Sequence, residues 1–128
     1  MIQNHMLPLF SHFKDTVEDL ACLRRDQTTL DPTTEITIFE DLDPSIYSVF
    51  YSENLDSLLE WVLIDKTIYS GAFELREIMI KLVDTGRWGL DSLQSNDPLW
   101  NSFFKKGVEL YDYWLSFREN LDLSVFEN

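Results

Sequence analysis

Carboxylates at helical spacing are the first candidates for chemistry in this chain. Glu74 and Glu77, and again Glu109 and Asp112, lie three residues apart, which puts both acids of each pair on one helix face. Such pairs can ligate a metal or serve as the acid and base of glycoside hydrolysis. A di-iron centre also needs Glu-x-x-His on facing helices, and neither pair is followed by a histidine at that spacing. Solvated helix faces are therefore expected. Cys22, the one cysteine, would need a nearby base or a helix N-terminus to become a nucleophilic thiolate. It falls near the C-terminus of a predicted helix, where the dipole opposes ionisation, and is expected as a small buried hydrophobe. One cysteine makes no internal disulfide, and with His5 and His12 it cannot furnish a zinc site of the usual kind. No catalytic signature is found, and no enzyme activity, cofactor or metal is expected.

Asp-Ser-Leu occurs twice, at Asp56-Ser57-Leu58 and at Asp91-Ser92-Leu93, the second within Gly89-Leu90-Asp91-Ser92-Leu93. The motif resembles the phosphopantetheine attachment site of acyl carrier proteins, and that resemblance implies a modified Ser57 or Ser92 and a carrier role. In that family the serine opens a long amphipathic helix. Here Leu93 is followed by the break Gln94-Ser95-Asn96-Asp97-Pro98, and the first copy lacks the glycine and falls inside a predicted helix.

Charge is distributed unevenly. Ten Lys and Arg face 23 Asp and Glu, a net charge of −13, which disfavours binding to nucleic acid or to an anionic membrane. Between Arg25 and Lys66 there is no basic residue, whereas Asp26, Asp31, Glu35, Glu40, Asp41, Asp43, Glu53, Asp56, Glu60 and Asp65 are all acidic. The rest of the chain is nearly balanced, so the acidity is regional. Clustered carboxylates repel one another in the free protein and become favourable when a cationic surface arrives. These ten residues are the candidate partner-binding site. Trp61, beside Glu60 and off the leucine stripe of its helix, is the candidate aromatic anchor.

The elements that must position these residues read as helices. From Pro8 to Arg25, Phe10, Phe13, Val17, Leu20 and Ala21 recur at intervals of three and four. Residues 26 to 45 lose that period and are punctuated by Asp31-Pro32 and Asp43-Pro44; they are expected as an irregular acidic segment, with 35–40 β-prone but lacking a strand to pair with. Asp43-Pro44 should open a short helix through Tyr51, and Asn54 should cap the next, with Leu55, Leu58, Leu59, Val62 and Leu63 inside. Ser70 should cap a helix ended by Gly86, with Leu75, Ile78, Met79, Leu82 and Val83 inside. Asp97-Pro98 should open the longest helix, running to about Asn120. It carries two apolar stripes, one through Trp100, Phe103, Gly107 and Trp114 and a narrower one at Leu110, Tyr113 and Phe117. Two stripes predict a central helix with neighbours on both sides, the exposed alternative being an aromatic contact site. The 128 residues suit one core, for which ~100 to 150 are typical. The expected fold is a single all-α domain of four to five helices over 1–128.

No apolar run approaches the ~20 residues that span a bilayer, and Met1 to Phe13 interposes Gln3, Asn4, His5 and Pro8 where a signal peptide needs an unbroken apolar stretch. A cytosolic protein is expected. In size, charge and texture the whole chain resembles bacterial immunity proteins, especially those paired with contact-dependent growth inhibition toxins. That resemblance implies a cognate toxin, commonly a nuclease acting on transfer RNA or DNA, neutralised in a tight complex. A nuclease cleft is basic because it holds phosphates, and a carboxylate cluster can occupy it in their place. The same features would suit a DNA-mimicking inhibitor, and the alternative from another class is a carrier or scaffold subunit of a cytosolic assembly.

Overall fold

The computed structural model describes residues 3–21, 44–88 and 98–121. Residues 26–43 of the expected irregular segment, with the β-prone 35–40 among them, Cys22 and Ser92 lie outside the described residues, whereas 44 and 45, expected to end that segment, are helical. Among the described residues there are five helices: α1 (Gln3–Ala21), α2 (44–49), α3 (Ser52–Glu60), α4 (Lys66–Asp84) and α5 (Pro98–Arg118). The domain is all-α, with no strand among the described residues.

α1 starts five residues before the expected Pro8 and carries that proline inside it. The stripe explains the extension. Met6 is buried and continues the series Phe10, Phe13, Val17, Leu20 upstream at the same interval, so the core gains another turn of contact that offsets the bond Pro8 cannot donate.

Two expected caps are replaced. Asn54 sits inside α3, where its Nδ2 donates to the Ser48 carbonyl at 2.7 Å and ties α3 back to α2. α4 begins at Lys66 rather than after Ser70, because Asp65 Oδ1 accepts from the Ile68 amide at 2.9 Å and satisfies one of the otherwise orphaned donors of the first turn. Ile68 then leads a buried series through Ala72, Leu75, Met79 and Leu82, again at intervals of four and three. Val83 and Ile78, expected inside, depart from that series: Val83 is 47% exposed and Ile78 is half-buried.

Both ends of the α3 and α4 pair close in the same way. At the end of α4 the Gly86 amide donates to the Val83 carbonyl and the Arg87 amide to the Leu82 carbonyl, a Schellman closure with Gly86 at φ +70, as its position in the sequence predicts. At the end of α3 the Val62 amide donates to the Leu59 carbonyl and the Leu63 amide to the Leu58 carbonyl. Here the left-handed position is taken by a β-branched residue, Val62, at φ 59 and 72% exposed. Val62, expected on the inner stripe, is thus turned out while Leu63 and Ile64 are buried.

α5 is the central helix. α1 packs on one side and α4 on the other, in accord with its two apolar stripes. Both contacts are close because a glycine stands at each. A Cβ on Gly107 would meet Leu20 Cδ2 of α1 at 3.5 Å, and one on Gly71 of α4 would meet Leu110 Cδ1 at 3.3 Å. Trp100, Phe103, Leu110 and Trp114 are buried, while Phe104, Val108, Tyr111 and Phe117 are half-buried. The N-terminal half of α5 is fixed to the end of α4 by Trp100, which stacks on Trp88 at 5.0 Å and donates Nε1 to the Arg87 carbonyl at 2.9 Å. Its C-terminal half is fixed to α1 by Trp114, packed against Phe10 and Phe13. Among the described residues no helix is long and apolar enough to cross a membrane.

Candidate functional site

Of the expected partner-binding residues, Asp26, Asp31, Glu35, Glu40, Asp41 and Asp43 lie outside the described residues. Glu53, Asp56, Glu60, Trp61 and Asp65 are described, and they separate into two groups.

Glu53, Asp56 and Glu60 form a face. They occupy positions i, i+3 and i+7 of α3, opposite buried Leu55 and Leu58, and all three are exposed. Seven residues of helix extend the row over about 10 Å. Glu53, in the first turn, complements the positive end of the helix dipole. Glu60 lies at the negative end, and the last turn of α3 has no basic residue to offset it. Asp56 Oδ1 accepts from the Tyr69 hydroxyl of α4 at 2.7 Å, which fixes the middle of the row. That hydrogen bond, with burial and the carboxylate charge behind it, holds the Tyr69 hydroxyl above its ordinary pKa.

Asp65 and Trp61 are occupied with the fold. Besides capping α4, Asp65 accepts through Oδ2 from the Tyr113 hydroxyl of α5. The bond from Asp65 raises the Tyr113 pKa; Thr67 acts in the opposite sense, and burial and the Asp65 charge add to the rise. Trp61 is half-buried, forms the C-terminal cap of α3 and packs against the core. Neither Tyr113 nor Phe117 is a free contact residue: Phe117 is half-buried and stacked on Trp114 at 6.2 Å.

The helical carboxylate pairs do not converge on a metal. Glu74 takes the Lys106 ammonium at 2.6 Å, and that bond raises the Lys106 pKa above its ordinary value. The pair spans a cleft of about 240 Å³ between α4 and α5, floored by Gly71 and Leu110. Among the described residues no group of three or more potential ligands could hold a metal ion. Ser57 lies within α3, and its hydroxyl donates back to the Glu53 carbonyl at 3.1 Å.

One arrangement was invisible in the sequence. Arg76 Nε donates to the Tyr47 carbonyl at 2.9 Å, and its guanidinium lies 4.7 Å from the Tyr47 ring centre and 5.1 Å from that of Tyr51. The partners are 29 residues apart, so no local spacing announces them. The contact locks the turn between α2 and α3 onto the outer side of α4.

No family model, curated protein or solved structure matches the chain.

Proposed function

We propose that this protein binds a basic protein partner, as an immunity or antitoxin-type inhibitor that neutralises a cationic toxin domain, a nuclease being the class whose cleft such a surface best complements. The observation that carries it is the exposed row Glu53, Asp56 and Glu60, on a helix with no cation of its own and preceded in sequence by six further acids from Asp26 to Asp43. Such a row is electrostatically unfavourable in isolation and favourable against a positive cleft. The row stands on a helix already packed through Leu55 and Leu58, so little backbone freedom would be lost on binding.

The test is kinetic. A partner recovered by crosslinking in the native cell is purified, and its association with wild type is compared with that of the triple variant Glu53→Gln, Asp56→Asn, Glu60→Gln. Asparagine at 56 keeps an acceptor for Tyr69. Association should slow about tenfold in the variant, and should slow for wild type as salt contracts the Debye length to about 8 Å. Rates that ignore both salt and the three substitutions would refute the reading. Trp61→Ala separates contact from core: because Trp61 packs on the core, reduced stability is expected along with any faster release.

A further inference from the structure

The outer side of α4 carries a recess that the α3 face does not use. Tyr47, Met79, Ile80, Val83 and Asp84 line a notch of about 300 Å³ at the C-terminal end of the helix. That is the lower end of the ~300 to 1,000 Å³ range of small-molecule pockets, a volume suited to one long side chain. Three walls are aliphatic. The fourth is the Tyr47 ring, 57% exposed yet held in place by Arg76 through both its carbonyl and its face.

Asp84 is the unusual member. It is the last residue of α4, so its carboxylate stands at the negative end of the helix dipole, where a cation is preferred. Its carboxylate makes no hydrogen bond or ion pair with the described residues. Lys81, the cation of the last turn, lines a separate depression with Thr85, Arg87 and Pro98. Glu77 lies seven residues before Asp84, on the same side of the helix, and is exposed. Arg76 stands near the same wall but does not line the notch, its guanidinium being held by the Tyr47 carbonyl and by the faces of Tyr47 and Tyr51.

We propose that this notch receives an arginine side chain presented by the partner protein. Its methylenes would lie along Met79, Ile80 and Val83, and its guanidinium would meet the Tyr47 ring and the Asp84 carboxylate. Arginine fits better than lysine because a planar guanidinium both stacks on an aromatic face and bonds a carboxylate through two N–H groups. The incoming cation relieves the conflict between Asp84 and its own helix terminus. This assignment rests on the reading that the partner is basic.

The probe is N-acetyl-arginine methylamide, titrated into methyl-labelled protein and followed by NMR at Ile80 and Val83. Saturable shifts with millimolar half-saturation are expected for the arginine probe, and none for its neutral citrulline counterpart. Asp84→Asn should weaken binding about fivefold while its thermal midpoint stays at or above that of wild type, which separates lost contact from lost fold. Tyr47→Leu, which keeps the carbonyl that holds Arg76, should also weaken it. An equal response to the lysine analogue overturns the choice of a guanidinium. Absence of saturable shifts, an equal response to citrulline, or indifference to Asp84→Asn overturns the site. The α3 triple variant should bind the probe as wild type does, so failure of the α3 reading and failure of the notch are read in different experiments.

Discussion

Asp65 and Tyr113 join the start of α4 to the outer side of α5 through a single carboxylate that is also a helix cap, one oxygen serving each purpose. The acid that sequence grouped with the partner-binding set therefore also ties two elements together. Asp65→Ala should destabilise the protein by about 1 to 2 kcal/mol, the usual loss for a side-chain cap, as measured by urea denaturation. Asp65→Ser should recover part of it by keeping an acceptor for Ile68, and Tyr113→Phe should produce a smaller loss because the cap survives.

Val62 should behave in the opposite sense. A left-handed β-branched residue is strained by roughly 1 to 2 kcal/mol, and glycine relieves that at an entropic cost of roughly 0.5 to 1 kcal/mol. Val62→Gly is expected to raise stability by about 0.5 to 1 kcal/mol, whereas Val62→Ala, which retains a Cβ, should gain less. Comparison of the two denaturation midpoints checks it; a destabilised Val62→Gly would mean that the exposed valine makes contacts beyond its own turn.

The two interhelical glycines should also differ. Alanine is favoured over glycine within a helix by about 1 kcal/mol. At Gly107 the added methyl meets Leu20 at an ordinary 3.5 Å, so Gly107→Ala should keep most of that gain. At Gly71 it meets Leu110 at 3.3 Å and must displace it, so Gly71→Ala should gain less or lose stability. Thermal unfolding of both variants gives the order directly.

Alkaline titration should resolve two of the five tyrosines. The hydroxyls of Tyr69 and Tyr113 are raised above the ordinary value of 10.0 by their bonds to Asp56 and Asp65. A raised value means that the folded protein holds the proton more tightly than the unfolded chain. The associated stabilisation is complete below that ordinary value and is lost as pH climbs through the folded-state values. The phenolate ultraviolet band should therefore develop late for two residues, and Tyr69→Phe and Tyr113→Phe should each remove one late component.

Much of this architecture is written locally. The intervals between Phe10, Phe13, Val17 and Leu20 specify α1, Gly86 marks the end of α4, and the two apolar stripes of α5 specify its central place. The misplaced boundaries share a cause. Asn54 and Ser70 are good capping residues by type, but tertiary packing chose otherwise: the buried series of α4 begins at Ile68, so its cap must be Asp65, and Asn54 is drawn to a carbonyl of α2. Val62 could not be foreseen, because nothing in a valine signals positive φ; Leu63 and Ile64, both buried directly after it, impose the turn. Of the candidate site, the row on α3 follows from helical spacing alone. The division of labour between it and Asp65, and the notch beside Tyr47, depend on contacts between distant parts of the chain.

The four tryptophans are sorted by depth. Trp100 and Trp114 are wholly enclosed, whereas Trp61 and Trp88 keep an edge in water. An aqueous collisional quencher can therefore reach the emission of Trp61 and Trp88 and leaves the other two untouched. Trp61 stands next to Glu60 at the end of the acidic row, so a protein docking there would shield it without disturbing the enclosed pair. If a partner docks on the α3 row as proposed, the accessible fraction of fluorescence would fall as it binds, and that readout requires no label.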